Sequence, residues 1–184
     1  GGYGASSAAS LAGELDAYGT RWTIAREEAC QARQRDDLTE PLYEKTLACL
    51  ERARAALDAV ATTLARTSED KLAEAVRALR ELPAAERCRA EATTDPVPLP
   101  PPHLAARISE LSADATRARF LAFGADPAAA ELARRTVVAA DATGYPPLIA
   151  RAQLALGAGL EATLDNHTAA TYGTAADAAL AGGD

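Results

Sequence analysis

Phe120-Leu121-Ala122-Phe123-Gly124-Ala125-Asp126-Pro127-Ala128-Ala129-Ala130-Glu131-Leu132-Ala133-Arg134-Arg135 and Leu160-Glu161-Ala162-Thr163-Leu164-Asp165-Asn166-His167-Thr168-Ala169-Ala170-Thr171-Tyr172-Gly173 are two versions of one pattern. Each ends a helical run in a short turn and restarts it with small residues. Laying turn on turn places Ala129 on Ala169, a period of 40 residues. Self-similarity on that scale predicts stacked helical hairpins, because one hairpin buries its apolar face only against a neighbour. Stacks of this kind bind polypeptides more often than they carry out chemistry.

The same periodicity extends outward through the chain, and strand-like alternation is missing, so the expected fold class is all-α. One long helix is predicted from about Ser10 to Arg35, with Leu11, Leu15, Tyr18, Trp22, Ile24 and Ala29 on its apolar side. Asp36-Asp37-Leu38-Thr39 breaks it. Thr39 then serves as N-cap and Pro41 enters the first turn of a second long helix reaching about Arg66. A third helix is expected from about Glu69 to Leu82, closed by Pro83, and a short fourth around Ala84 to Ala92. Asp95 to Pro102 holds half of the prolines and reads as an extended connector. Four more helices follow, near 103–123, 127–143, 146–164 and 167–181, with Gly124 and Gly144 placed as helix-ending residues. The predicted organisation is a helical unit over 1–92, a Pro-rich linker over 93–102 and two hairpins over 103–184.

Composition narrows the function classes. Alanine dominates, aromatic residues make up 4%, and 26 acidic against 19 basic residues give a net charge of −7. Nucleic acid is not an expected partner, since phosphate binding needs clustered Lys and Arg. The chain has no apolar run long enough to span a membrane, so no membrane contact is expected from this segment. The Gly-Gly-Tyr-Gly start and the lack of methionine suggest a piece of a longer protein.

Leu156-Gly157 and Leu160 in one helix, with Ala169 and Ala176 in the next, resemble a degenerate tetratricopeptide repeat, with Gly124 and Ala129 as the counterparts in the first hairpin. These seven residues are the expected repeat-packing set, with the small ones placed where paired helices cross and Gly124 at the turn. The N-terminal half resembles a more particular family. Trp22 to Cys30, then Leu47-Ala48-Cys49-Leu50-Glu51-Arg52, then Leu82-Pro83 and Cys88-Arg89-Ala90 occur in an order similar to that of the region between kinase domain and repeat array in serine/threonine protein kinases of myxobacterial type. Gly144-Tyr145-Pro146-Pro147-Leu148 resembles a junction between helical pairs there. Thr46 departs from that pattern, which usually carries arginine at this place, and Arg89-Ala90 stands where Ala-Asp is usual. The resemblance implies a sensory segment of a receptor-like kinase, with an extracytoplasmic location favoured over a cytoplasmic one. It carries no catalysis over, because the chain has no Gly-rich loop, His-Arg-Asp or Asp-Phe-Gly motif.

The remaining residues capable of chemistry are sparse. Cys30, Cys49 and Cys88 with His103 and His167 show no metal-ligand spacing, so neither metal nor cofactor is expected. Two readings of the cysteines stay open: reduced thiols in a helical core, or a disulfide if the segment faces an oxidising compartment, as the resemblance implies. For a disulfide, helix rise selects the pair. Cys49 lies 18 residues before the turn near Thr67 and Cys88 lies 21 after it, nearly level at ~1.5 Å per residue. Cys30 and Cys49, measured from the turn near Asp37, differ in height by about 7–8 Å at the same rise. Adjacent carboxylates such as Glu27-Glu28 diverge on a helix and suggest no acid/base pair.

Three functions compete. One is a non-catalytic segment that binds a protein or peptide through its helical repeats. Another is a small-molecule sensor with Tyr18, Trp22 and Tyr43 lining a pocket. The last is a spacer or dimerisation module, in which a bare terminal helix promotes homo-oligomers.

Overall fold

In the computed structural model the described residues are 2–65, 68, 79, 82–94 and 97–182. Among them are seven α-helices, one turn of 3₁₀ helix and no strand. The third predicted helix lies outside the described residues except for Leu79 and Leu82.

Helix α1 spans Gly2–Gln34. Its inward residues are Leu11, Leu15, Tyr18, Trp22, Ala25, Ala29 and Ala32, all buried or half-buried. Steps alternating between four and three keep one narrow stripe aimed at a partner helix. Ile24 falls between the steps and is 50% exposed, so the stripe runs through Ala25 and not through the larger neighbouring side chain. The helix ends as Asp36 takes a left-handed φ of 59°.

Helix α2 spans Glu40–Leu64, with Thr39 at its N-cap position and Pro41 in the first turn. The Thr39 side chain makes no cap bond; its carbonyl accepts the Tyr43 N–H at 2.9 Å. Arg33 holds the turn from the other side, Nε donating to Glu40 at 2.9 Å. Helix α2 is central, packing against α1, the 3₁₀ turn Ala85–Arg87, helix α3 (Cys88–Thr94) and helix α4 (Ala105–Phe123). Thr46 is fully buried on it, and its hydroxyl is satisfied by Leu42 O at 2.7 Å.

The chain continues as α5 (Ala128–Asp141), α6 (Pro146–Glu161) and α7 (Thr168–Gly182). Helices α4, α5 and α6 pack on one another, and α7 packs on α6. Where the first three meet, the buried residues are Ala115, Ala118, Ala133 and Ala155. Such small side chains let backbones approach closely. Gly159 marks the closest approach: a Cβ there would stand 2.9 Å from the Ala130 backbone.

The turns inside the two hairpins match atom for atom in their hydrogen bonds. Gly124 N–H donates to Leu121 O at 3.1 Å, Ala125 to Ala122 at 3.0 Å and Asp126 to Leu121 at 3.0 Å. Thr163, Leu164 and Asp165 repeat these bonds onto Leu160, Glu161 and Leu160 at 3.1, 3.0 and 3.0 Å. Asp126 Oδ1 accepts the Ala128 N–H and Asp165 Oδ1 the His167 N–H, both at 2.9 Å. The structural period is therefore 39 residues, Leu121 to Leu160, and the expected period of 40 is corrected by one. Ala129 corresponds to Thr168, not to Ala169. The correction shows in the burial. Ala175 is buried at the position equivalent to buried Thr136, whereas Ala169 and Ala176, expected at a helix crossing, are exposed.

The Pro-rich connector is anchored. Tyr145, buried at the start of α6, donates its hydroxyl to Pro98 O at 2.7 Å. Helices on either side of the connector pack together, and Leu11, Val60 and Phe120 form one buried cluster across α1, α2 and α4.

Candidate functional site

Tyr18, Trp22 and Tyr43, expected to line a ligand pocket, are built into a core cluster with Leu50, Ala53, Ala85 and the Cys49–Cys88 pair. Their polar atoms are already engaged. Tyr18 Oη donates to Pro83 O at 2.6 Å, and Trp22 Nε1 donates to Leu50 O at 2.7 Å. Tyr43 Oη lies 3.6 Å from Cys30 Sγ. Tyr18 and Trp22 thus fix helix positions, each using its polar tip to satisfy a backbone carbonyl. Burial pushes the Tyr18 phenol up to about 12, with Glu86 adding to the rise and Arg21, whose Cζ lies 5.7 Å from the ring centroid, opposing it. Tyr43 is also raised, first by its hydrogen bond to Cys30. Of the three, Tyr18 borders a cavity, shared with Glu14, Arg21 and Glu86.

Cys49 and Cys88 form a disulfide, with Cα atoms 5.5 Å apart, joining α2 to the start of α3. Cys30 is a free, half-buried thiol. No group of three or more metal-ligating side chains gathers among the described residues. No described helix is long and apolar enough to cross a membrane.

The expected repeat-packing residues divide. Ala129, Gly157 and Leu160 are buried, and Leu156 packs at the edge of the alanine cluster. Gly124 caps α4 with a φ of −86°, while the left-handed place falls to Ala125 at 48°. Tyr172 covers Gly157, and its hydroxyl donates to Glu161 at 2.8 Å. That bond, after burial, raises the Tyr172 phenol above its usual range. Ala169 and Ala176 are exposed because the α7 stripe facing α6 runs through Thr168, Ala175 and Gly182.

A second cavity, of about 180 Å³, lies where α2, α4 and α6 converge, and no sequence motif marks it. Among the described residues, Val60, Leu82, Pro83, Ala115, Phe120, Phe123 and Leu154 supply apolar walls, and Ser112, Thr116, Arg119 and Arg151 supply polar ones. Ser112 is 8% exposed, and its Oγ has no hydrogen-bond partner among the described residues. Ser112 and Arg151 stand 39 residues apart, at equivalent places in the two hairpins.

No family model matches the chain, and neither does any curated protein or solved structure.

Proposed function

We propose that this chain is a non-catalytic interaction segment of a receptor-like bacterial serine/threonine protein kinase, in which tetratricopeptide-like hairpins, α4–α5 and α6–α7, bind a peptide. The observation that carries the binding half of this reading is the recurrence of one turn geometry at an offset of 39 residues, joined to helices that cross through Gly159 and Ala130. Repeated hairpins in close contact offer a rigid, extended surface, which limits the ordering cost of holding a flexible peptide. The kinase half rests on the resemblance around Trp22, Cys49 and Cys88, and it requires a kinase domain in the same polypeptide.

Selection of a displayed random-peptide library on the oxidised, folded chain tests the binding half. The expected result is a set of related sequences that bind saturably and shift backbone amides within α4–α7. No enrichment over an unrelated helical protein would refute it, as would shifts confined to α1 and α2.

A further inference from the structure

We infer that the uncovered side of α7 is a two-fold docking surface for α7 of a second copy of this chain. Composition is the first observation. Helix α7 holds one charged residue, Asp177, in 15 positions, whereas 24% of the chain is charged. A helix that is apolar all round belongs in contact on more than one side. The stripe of α7 that faces α6 runs through Thr168, Ala175 and Gly182. A second stripe, Ala169, Gly173, Ala176 and Leu180, is exposed at every position, Leu180 at 76%. Its steps of four, three and four are those of a helix–helix seam.

The repeat shows what kind of element covers such a side. At the offset of 39 residues, Ala169 and Ala176 are the counterparts of Ala130 and Val137 on α5. There α6 does the covering. Gly159 stands against the Ala130 backbone, and Val137 packs on a cluster that includes Leu148 and Ala152. The covering stripe of α6 is Leu148, Ala152, Ala155 and Gly159, again at steps of four, three and four, and all four are buried. One surface is thus closed in the first hairpin, and its equivalent is bare in the second.

The bare stripe of α7 has the composition of that covering stripe. From its C-terminal end it reads Leu180, Ala176, Gly173, Ala169: one leucine, two alanines and one glycine, as on α6. A second copy therefore brings the matching element with it. With two α7 helices antiparallel about a two-fold axis midway between Gly173 and Ala176, Gly173 meets the partner's Ala176 and Leu180 meets the partner's Ala169. Each contact is made twice, as a two-fold interface requires. Glycine then lies over alanine, as Gly159 lies over Ala130. Room exists for that approach, since a Cβ added at Gly173 would meet nothing within 4 Å. The other glycines of α6 and α7, Gly157, Gly159 and Gly182, each lie against a neighbour instead. Asp177 is off the stripe, so the docking surface itself carries no charge.

Sedimentation equilibrium of the oxidised chain from about 1 μM to about 500 μM tests the inference. A helix of 15 residues is about 22 Å long, which places the contact at the small end of specific interfaces. The expected result is a monomer–dimer equilibrium with a Kd of ~10–100 μM. Ala176→Arg puts a charge in the stripe and should weaken the dimer at least about tenfold. The melting temperature of the dilute variant should hold, because Ala176 is exposed in the monomer. Val138→Arg, at a 72% exposed position on α5, should leave the Kd unchanged. Gly173→Ala separates docking from folding: its helix propensity should raise the melting temperature, while its methyl group weakens the dimer several-fold. A monomer at every concentration would overturn the inference, as would a dimer left intact by Ala176→Arg or tightened by Gly173→Ala.

Discussion

At the scale of single residues, Tyr18, Trp22 and Tyr145 act as fixed struts, each bonded to a distant backbone carbonyl. Tyr18 shows this most clearly, held between α1, α2 and the strand-less segment at Pro83 by the 2.6 Å bond to Pro83 O. Its phenol is raised to about 12, so the folded state keeps the proton over a range in which an unfolded tyrosine, near 10, has lost it. The sign follows: this contribution to stability is complete below pH 10 and disappears as pH rises towards 12. An absorbance titration at alkaline pH should show a last tyrosine step near 12, and Tyr18→Phe should remove that late step. If the late step persists in the variant, the assignment to Tyr18 is wrong. The importance of Tyr18 and Trp22 was legible in the sequence, since large residues at helical spacing belong in a core. Their pairing with backbone carbonyls was not, because Pro83 lies 65 positions from Tyr18 and no local pattern signals that contact. Ser112 and Arg151 were invisible for a similar reason: they come to line one cavity only once α4 and α6 pack together.

At the scale of elements, punctuation made the helices readable and also hid their register. Pro41, Pro146 and the Asp36-Asp37 pair fixed starts and stops to within a few residues. Matching alanine to alanine makes the offset between hairpins one residue too long, whereas the turns align through Asp126 and Asp165. Glycine ordinarily marks the left-handed residue that ends a helix, but here Ala125 and Leu164 occupy it, at 48° and 56°. Leu164 is 90% exposed and gains nothing from packing. Leu164→Gly should therefore raise stability by about 0.5–1 kcal/mol, measured by urea unfolding; an unchanged or lower midpoint would contradict the turn geometry. The two glycines of α6 should respond in different ways to alanine. Gly159→Ala drives a methyl group into the rigid Ala130 backbone and should cost about 1–3 kcal/mol. Gly157→Ala displaces only the Tyr172 ring, and the helix-propensity gain of about 0.8–1 kcal/mol offsets much of that disturbance. Equal losses in thermal melts would show that the crossing at Gly159 is looser than the structure has it.

At the scale of the whole molecule, α2 joins the two halves, with α1 and α3 on one side and α4 on another. The all-α class was readable from period and composition. The mutual packing of the halves was not, since a proline-rich connector gives no hint of what its flanking helices touch. Covalent chemistry reinforces the N-terminal part through Cys49–Cys88, which closes a loop of 39 residues. Constraint of the unfolded chain by a loop of that length is worth about 2–4 kcal/mol. Reduction, or Cys88→Ser, should lower the urea midpoint accordingly, with no change on treating the variant with reductant. That same ring has a mechanical consequence. If a protease severs one peptide bond between residues 50 and 87, both fragments stay tethered, migrating as a single species until a thiol reagent releases them. The molecule can thus lose the continuity of its backbone there and still remain one particle.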